Sequence, residues 1–426
     1  MADLNIKPNA LFTADNLYVL NGMNSDCIDL IYLDPPFNSK RLYKAPMGSK
    51  SAGAAFYDMW TWQDVDAALM SRLTDEHPHL VDYITSIEKS HSKAMMAYIA
   101  YMAQRLFEMQ RVLKPTGSIY LHCDPTASHY LKVIMDFIFG RINFRNEIIW
   151  CYSGPSGAKR NFPAKHDIIL RYAKSEEWIF NANKARVPHK RQTVSTGATG
   201  MAGGKRSFEE IRKYEALSIK QGKVVEDWWV DIGSGSHIPK QERTGYPTQK
   251  PLALLNRIIK ASSNEGDVVL DPFCGCATTC VAAQHWHRKW IGIDLSPTTA
   301  DLIRDRLAND VGELFNAFIH FTDLPNRKDV KYMSKKEAKP LLYGEQGGDC
   351  NGCKIHFPID NFDVDHIIPQ SKGGGDFKGN YQLLCGNCNS IKGNRPMEYL
   401  ITRIEARAAQ RSVFGEKSSL RLTKTD

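Results

Sequence analysis

Short apolar runs and amphipathic stretches alternate along the first 300 residues of the chain. Residues 27–33 form a mostly apolar run that a turn ends at Asp34, which is typical of a strand buried on both faces of a parallel sheet. Apolar residues then recur at helical spacing over 95–113, and after a break at 114–117 the run 118–122 predicts a second buried strand.

The same alternation returns between residues 252 and 294. A helical pattern over 252–259 precedes a predicted strand at 267–270, a turn rich in glycine, cysteine and threonine, a second helix and a strand at 290–294. Strands joined by helices predict an α/β fold with a parallel sheet. Between the two halves, the glycine-rich stretch 195–204 with its basic neighbours predicts a mobile loop that orders on a nucleic-acid backbone, with a plain solvated loop as the alternative.

Length, charge and cysteine content narrow the class of protein. A chain of 426 residues predicts two to four domains, and its net charge of +8 favours a polyanionic partner. No run approaches 18 apolar residues and the first residues lack the features of a signal peptide, so we expect a cytoplasmic protein without a membrane partner. The ten cysteines should then be reduced, and those that cluster are candidate metal ligands.

A tight turn that begins at Asp271 joins a predicted strand to a helix. Such a turn, here running through Phe273 and Gly275, lets backbone approach a ligand beside the helix N-terminus. Asp294 ends the next strand, where a carboxylate can accept hydrogen bonds from ribose hydroxyls. The turn lacks the glycine spacing of a dinucleotide fingerprint, so an adenosine cofactor without pyrophosphate fits better.

The segment Asp34-Pro35-Pro36-Phe37 has the chemistry that methylation of an exocyclic base amine requires. The lone pair of such an amine is delocalised into the ring, which makes the nitrogen a poor nucleophile. The Asp34 carboxylate and the Pro35 carbonyl can accept both amine hydrogens and favour a pyramidal nitrogen. The prolines hold the turn rigid, and Phe37 offers a ring on which an extruded base can stack. A plain turn after a strand is the alternative.

Several further stretches occur in the order found in one known family. They are residues 15–17, 29–39, 141–150, 165–167, 246–252, the turn at 271, and 291–294. With these motifs, residues 12–310 resemble the amino-group DNA methyltransferases whose catalytic motif precedes their cofactor motif. The resemblance implies a Rossmann-like class I methyltransferase fold, S-adenosylmethionine as methyl donor and double-stranded DNA as substrate.

The resemblance also implies which residues bind the cofactor. The methionine end is expected at Asp271, Phe273 and Gly275 beside Asp34, the ribose at Asp294 and the adenine near Asp15, while Thr248, Lys250 and Pro251 are expected to close the pocket. Two positions depart from the family, which commonly has glycine at Ala14 and Ala277. We expect the Ala277 methyl group to crowd the cofactor or to shift the turn slightly, with binding retained.

Two CxxC pairs late in the chain predict a structural zinc site, because each pair can present two thiolates to one tetrahedral ion. The four ligands are Cys350, Cys353, Cys385 and Cys388. The long interval between the pairs contains Asp365-His366, a glycine run and Asn380, and Asn389 follows directly after the second pair.

With these residues, the segment 350–396 resembles the HNH endonuclease family, which implies a small zinc-stapled ββα-metal domain. By this resemblance His366 is the general base that activates water, Asp365 and Asn389 hold Mg²⁺ or a similar divalent ion, and Asn380 braces the loop that orients His366. The alternative from the binding class is a zinc-stapled clamp that contacts DNA phosphates without cleaving them.

Duplex DNA is the one substrate that both resemblances share. We therefore expect a single-chain restriction–modification enzyme of bacterial, archaeal or phage origin that methylates a site and cuts unmethylated copies; a homing or modification-dependent nuclease is the enzymatic alternative. An aspartate before Pro35-Pro36 favours adenine N6 over cytosine N4 as acceptor. The oligomeric state stays open, a dimer included.

The motifs divide the chain into six segments. We expect the catalytic half of the methyltransferase at 1–154, target recognition at 155–245, the cofactor-binding half at 246–325, a linker at 326–346, the HNH domain at 347–400 and a basic tail at 401–426. The tail is either a solvated helical face or a contact to the DNA backbone.

Overall fold

The structure is a computed structural model. It describes residues 3–37, 41–45, 49, 51, 55–65, 70, 73–74, 76–154, 156–188, 209, 220–311, 318–395, 397, 399–404 and 406. The glycine-rich stretch 195–204 and most of the basic tail lie outside the described residues. No helix in the described part of the chain has the length and apolar character that crossing a membrane requires.

Thirteen of the described strands lie within the first 321 residues. They are β1 (Ala10–Thr13), β2 (Ile28–Leu33), β3 (Arg41–Lys44), β4 (Ala55–Asp58), β5 (Leu113–Cys123), β6 (Phe144–Cys151), β7 (His166–Ala173), β8 (Arg186–Val187), β9 (Lys223–Val224), β10 (Trp228–Trp229), β11 (Val268–Asp271), β12 (Lys289–Asp294) and β13 (Ile319–Phe321). Nine of them form one sheet in the order β10-β6-β7-β5-β2-β11-β12-β1-β13. In this sheet β7 runs antiparallel to both of its neighbours, and the other pairings are parallel.

Seven described helices cover the two faces of this sheet. They are α1 (Asn16–Gly22), α2 (Pro78–Ser90), α3 (Lys93–Val112), α4 (Pro125–Phe139), α5 (Leu252–Ser262), α6 (Thr278–His285) and α7 (Thr299–Val311). Apolar side chains of α1–α4 pack into one core and those of α5–α7 into another, on the opposite face. The α/β fold predicted from the sequence is confirmed, and so is the packing of the methionine-rich helix, since Met95, Met102 and Met109 of α3 are buried.

The register of the central strands brings two candidate site residues, Asp34 and Asp271, to the same edge of the sheet. Strand β2 is buried along its whole length, as its apolar run predicts, and it pairs with β11 so that Ile31 lies opposite Leu270. Both strands run in the same direction and end at the same edge of the sheet. Asp34 and Asp271, at the end of β11, therefore lie side by side, although 236 residues lie between them in the sequence.

Two further carboxylates reach this edge in the same way. Asp294 ends β12, which pairs in parallel with β11, and Asp15 follows β1, which pairs in parallel with β12. The carboxyl edge of a parallel sheet is where ligands bind in open α/β folds. Four acidic side chains from distant parts of the sequence thus surround one region of that edge.

The C-terminal domain is built on a short hairpin. Its described elements are α8 (Lys335–Glu345), β14 (Phe362–His366), β15 (Tyr381–Cys385) and α9 (Gly386–Lys392). The strands β14 and β15 are antiparallel, with His366 opposite Tyr381, and α9 begins directly after β15. This strand–strand–helix order is the predicted ββα arrangement.

The segment 326–346, expected to be a linker, is structured at both ends. Its first residues bind to the methyltransferase half, because the Ser25 backbone N–H donates to Asp329 over 2.8 Å. Its remainder includes helix α8, whose Ala338 and Leu342 belong to the core of the C-terminal domain. Helix α8, which Ser334 caps, therefore packs as part of the C-terminal domain.

Candidate functional site

A cavity opens at the carboxyl edge of the sheet, between the ends of β1, β2, β11 and β12. The residues that line it include Asp15, Asp34, Pro35, Pro36, Phe37, Thr248, Lys250, Asp271, Phe273, Gly275 and Asp294. These are all the predicted methyltransferase site residues except Pro251, which lies next to the cavity as the N-cap of α5. The structure therefore brings the catalytic and cofactor motifs together in one cavity.

Asp34 presents one bound and one unbound oxygen. Its Oδ2 accepts a hydrogen bond from the Lys250 ammonium at 2.5 Å. Its Oδ1 is buried and has no hydrogen-bond partner among the described residues, and Nδ1 of His122 lies 4.0 Å from it. A buried acceptor without a partner is costly, so a ligand that donates a hydrogen bond at this point is favoured.

Aromatic side chains form another part of the cavity wall. Tyr43, Trp60, Tyr101 and Tyr246 join Phe37 there. The rings of Trp60 and Tyr101 lie 3.9 Å apart, and the buried Trp60 Nε1 has no acceptor among the described residues. Planar surfaces and an unpaired N–H suit a heteroaromatic ligand, which can stack on the rings and accept a hydrogen bond at a ring nitrogen.

The turn after β11 is narrow and strongly acidic. Burial, together with the negative charges of Asp34 and Asp294, raises the pKa of Asp271 to about 7. Hydrogen bonds from Thr279 and the Phe273 backbone N–H act in the opposite direction. The Asp294 carboxylate accepts hydrogen bonds from the backbone N–H groups of Gly275 and Ser296, both at 2.8 Å. Buried carboxylates crowded in this way favour a cationic ligand.

Glycine is required at position 275 for two reasons. Its φ of 50° lies in the left-handed region, and a Cβ there would lie 3.1 Å from a ring carbon of Tyr246. Ala277, which we expected to crowd the cofactor, is buried with the core of α5–α7 and does not line the cavity. Its φ of 58° instead imposes backbone strain of about 1–2 kcal/mol, which explains why glycine suits this position. Ala14 does line the cavity.

Arg105 is a site residue that our sequence reasoning missed. Its buried guanidinium donates to both carboxylate oxygens of Asp15, at 2.9 and 3.1 Å, and to Asn16 Oδ1 at 2.7 Å. The Asn16 amide donates in turn to the Pro272 carbonyl at 2.8 Å. Helix α3 thus ties the start of α1 to the Asp271 turn. The sequence did contain a feature that could have identified Arg105: it is a charged residue within the apolar face of α3, at helical spacing from Met102 and Met109.

The four predicted zinc ligands lie together in the C-terminal domain. The Sγ atoms of Cys350, Cys353, Cys385 and Cys388 are all within 4.8 Å of one another. Zn–S bonds of about 2.3 Å in a tetrahedron place sulfur atoms about 3.8 Å apart, so the cluster fits one zinc ion. The Cys385 backbone N–H also donates to Cys350 Sγ at 3.2 Å, a contact that stabilises a thiolate.

A second cavity lies in the C-terminal domain, and Asp365, His366 and Asn389 all line it. The Nε2 atom of His366 is 2.8 Å from Asp376 Oδ1, which also accepts from the Tyr381 hydroxyl at 2.9 Å. The hydrogen bond from His366 holds the pKa of Asp376 below its usual value. Asp376, which the sequence reasoning did not single out, thus fixes the orientation of the imidazole.

Neighbouring residues hold Asp365 and the loop after His366 in place. Oδ2 of Asp365 accepts from the buried Lys392 ammonium and from the Gln382 amide, each at 2.9 Å. The buried Asn380 bonds the N–H and C=O of Ile368 and the carbonyl of Gly375. Asn380 therefore ties together the loop that follows His366, and it does not itself line the cavity.

Comparison with known proteins identifies two families along the chain. The sequence model described as DNA methylase matches residues 28–305, and the one described as HNH endonuclease matches residues 350–395. The first match contains the Asp34 and Asp271 motifs, and the second contains both CxxC pairs.

Curated relatives align with the first match. The type II methyltransferase M.HpaI of Haemophilus parainfluenzae is 28% identical over 309 residues, which cover 72% of this chain and 76% of that protein. The DNA adenine methyltransferase YhdJ of Escherichia coli K12 is 31% identical over 201 residues, covering 47% of this chain and 63% of that protein. Among solved structures, the cytosine-N4-specific PvuII DNA methyltransferase covers 74% of this chain and 98% of its own, with 13% identity and a TM-score of 0.44.

Removal of zinc tests the cysteine cluster. We expect one zinc ion per purified chain, since the four thiolates close one tetrahedral site. Cys385→Ser or a strong chelator should remove the ion and unfold the C-terminal domain, whose small core encloses the cluster, while the nine-stranded sheet stays folded. Elemental analysis and thermal unfolding measure the two effects. Cys151→Ser, on the sheet, is the matched control; a zinc-free chain with an unchanged C-terminal transition would contradict the assignment.

Proposed function

Since the chain belongs to the DNA methylase family, whose sequence model matches residues 28–305, we propose that it transfers a methyl group from S-adenosylmethionine to an exocyclic base amine in double-stranded DNA. The observation that carries the proposal is the shared cavity of Asp34 and Asp271. A cationic methyl donor suits the acidic turn, and an amine suits the unpaired Asp34 oxygen.

In the proposed reaction, the target base leaves the duplex and stacks on Phe37. Its amine donates one hydrogen to Asp34 Oδ1 and the other to the Pro35 carbonyl. Lys250 fixes the carboxylate by holding Oδ2, so that Oδ1 faces the amine. S-adenosylmethionine supplies an electrophilic methyl group. Asp34 stabilises the positive charge that develops on the amine nitrogen in the transition state.

The rest of the cavity would hold the donor. The Asp271 carboxylate, with Phe273 and Gly275, receives the methionine end, which carries an ammonium group and the sulfonium. Asp294 accepts hydrogen bonds from the ribose hydroxyls, and the adenine lies near Asp15. Thr248, Lys250 and Pro251 close the pocket. The backbone of Thr248 is held at a φ of 65°, a strained conformation of the kind found at binding sites.

Adenine N6 is the acceptor we propose ahead of cytosine N4. An aspartate precedes Pro35-Pro36, and the relative YhdJ is an adenine methyltransferase at 31% identity. We assign target recognition to residues 155–245. Within this region β10 extends the sheet edge, and the side chain of Trp228 is exposed there.

For the C-terminal domain we propose a metal-dependent HNH endonuclease. His366 would activate the attacking water as general base, with Asp376 holding its ring and Asn380 holding its loop. Asp365 and Asn389 offer the hard oxygen ligands that Mg²⁺ prefers, and Lys392 and Gln382 occupy only Oδ2 of Asp365 in the structure. Together the two domains would form a restriction–modification enzyme that cuts DNA lacking its own methyl mark.

Single-molecule sequencing of DNA from a host that expresses the chain tests the methyltransferase. We expect N6-methyladenine at one short sequence, and its loss with Asp34→Ala, because the substitution removes a group worth about 10²–10³ in rate. Asp301→Ala, an exposed carboxylate on α7, is the control and should leave the mark intact. Unmodified DNA from the parent chain, together with no transfer in vitro to any DNA tested, would refute the proposal.

Plasmid cleavage tests the nuclease. The purified chain with Mg²⁺ should cut an unmethylated plasmid and spare the same plasmid after methylation, and His366→Ala should abolish cutting because the general base is lost. His356→Ala, an exposed histidine in the same domain, is the matched control. Cutting that survives His366→Ala would contradict the catalytic role, and preferential cutting of the methylated plasmid would favour a modification-dependent nuclease.

The raised pKa of Asp271 predicts a pH dependence of cofactor binding. Below about pH 7 the free protein carries Asp271 protonated, whereas the cationic methionine end favours the carboxylate, so binding must release a proton. The affinity for S-adenosylmethionine should be constant above pH 8 and fall by up to about tenfold per pH unit below 7. Asp271→Asn should bind weakly at all pH values and without this slope. Calorimetry between pH 6 and 8.5 measures both, and a flat profile for the parent chain would rule the linkage out.

A further inference from the structure

A buried histidine lies directly behind Asp34, outside the motifs used so far. His122, near the end of β5, has no exposed surface, and its ring packs at 6.0 Å from that of Phe37. Nε2 lies 3.1 Å from Asp167 Oδ2, and the other oxygen of Asp167 accepts from the Tyr152 hydroxyl at 3.0 Å. The ring is therefore oriented by a carboxylate that is itself held in place.

The opposite nitrogen of His122 faces the reacting end of the site. Nδ1 is 2.8 Å from the Tyr32 hydroxyl and 4.0 Å from Asp34 Oδ1. Burial raises the pKa of Tyr32 far above its usual value, so the phenol keeps its proton and can donate it to Nδ1. With Nε2–H donating to Asp167, Nδ1 is the ring nitrogen without a hydrogen, and its lone pair accepts from the Tyr32 hydroxyl.

Methylation of an amine produces a proton that must leave. The nitrogen lone pair forms the N–C bond, the C–S electron pair stays on sulfur, and the product nitrogen is cationic until it loses one hydrogen as H⁺. Asp34 Oδ1 is the acceptor nearest to that hydrogen in the proposed pose. Lys250, the other partner of Asp34, is an ammonium with no lone pair to offer. The proton therefore needs another base behind Asp34.

We propose that His122 receives this proton from Asp34 at Nδ1, and that Asp167 stabilises the resulting imidazolium. The inference rests on the proposed methyltransferase function and adds a group for which no motif was identified. The proton passes from the product nitrogen to Asp34 Oδ1. The Tyr32 hydroxyl then gives its own proton to Nδ1, 2.8 Å away, and takes up the proton from Asp34. Asp34 is thereby returned to its carboxylate form. Because His122 acts through Asp34, it is a positioning and proton-accepting residue, not one that touches the base.

The charges around His122 favour this role. The titratable groups that contact His122 or act on its partners are Tyr32, Asp34, Asp124, Tyr152, Asp167, Lys250 and Asp271. Carboxylates dominate this set, and Asp167 is the one in direct contact. Burial raises the pKa of Asp167, but hydrogen bonds from His122 and Tyr152 outweigh it and leave the pKa below its usual value. An ionised Asp167 stabilises the protonated ring.

Single-turnover methylation by His122→Gln tests the proposal. The glutamine amide can still donate to Asp167 but cannot accept a proton, so the rate should fall about 100-fold, the lower end of what a general base contributes. Binding of S-adenosylmethionine and DNA should change little. Asp167→Asn, which removes the charge that stabilises the imidazolium, should also slow methyl transfer while leaving binding unchanged.

The same substitution at the exposed His129 on α4 is the matched control and should behave like the parent chain. A His122→Gln variant with the parent rate of methyl transfer would overturn the inference. A parent chain that methylates no DNA would instead refute the proposed function, so the two failures are distinguishable.

Nitrogen NMR of the cofactor-free protein gives a readout that does not depend on activity or on the variant folding. With ¹⁵N-labelled histidine, His122 should carry its proton on Nε2, beside Asp167, and none on Nδ1. The resonance is assigned by its loss in His122→Gln or, if that variant does not fold, by its shift in Asp167→Asn. A ring that carries a proton on Nδ1 in the resting protein has no lone pair there to accept another, and this result would overturn the proposal.

Discussion

The parallel register of β2 and β11 is the constraint on which the site depends. Because these strands pair in the same direction and end together, Asp34 and Asp271 meet at one edge of the sheet, and β12 and β1 add Asp294 and Asp15. A slip of one residue between β2 and β11 would turn the buried side chains of β2 to the opposite face, so the same apolar packing that stabilises the sheet also fixes the position of the chemistry.

Five carboxylates line the cavity, and four of them lie at the ends of parallel strands, where they repel one another. The fold compensates for this repulsion differently at each of these four positions. Arg105 neutralises Asp15, and Lys250 neutralises one oxygen of Asp34. Asp294 is held by two backbone N–H groups, whereas Asp271 has no cationic partner among the described residues, and its burial, with Asp34 and Asp294 nearby, raises its pKa. The uncompensated charge is thus concentrated where a cationic methyl donor would bind, and the unpaired oxygen of Asp34 lies where an amine would donate.

Much of this was predictable from sequence, because strand patterns and short motifs are local. The runs at 27–33, 118–122 and 290–294 are strands, and both CxxC pairs meet in one cluster. What escaped prediction are partners supplied from distant segments: Arg105 from the middle of an apolar helix, His122 from a central strand, and Asp376 from a glycine-rich loop. Each is ordinary in sequence and acquires its contacts only through the tertiary fold. The packing of α8 on the hairpin was not predicted either, because its amphipathic pattern becomes meaningful only against the surface that it covers.

A crystal structure of the protein with a target duplex and an unreactive analogue of S-adenosylmethionine tests the central claim most directly. The account predicts a base turned out of the helix, with its amine within hydrogen-bonding distance, about 3 Å, of Asp34 Oδ1 and the Pro35 carbonyl. It also predicts the analogue against Asp271 and Asp294, with its transferable group about 3–3.5 Å from that amine. An analogue bound elsewhere, or a base amine held by residues other than Asp34, would contradict it.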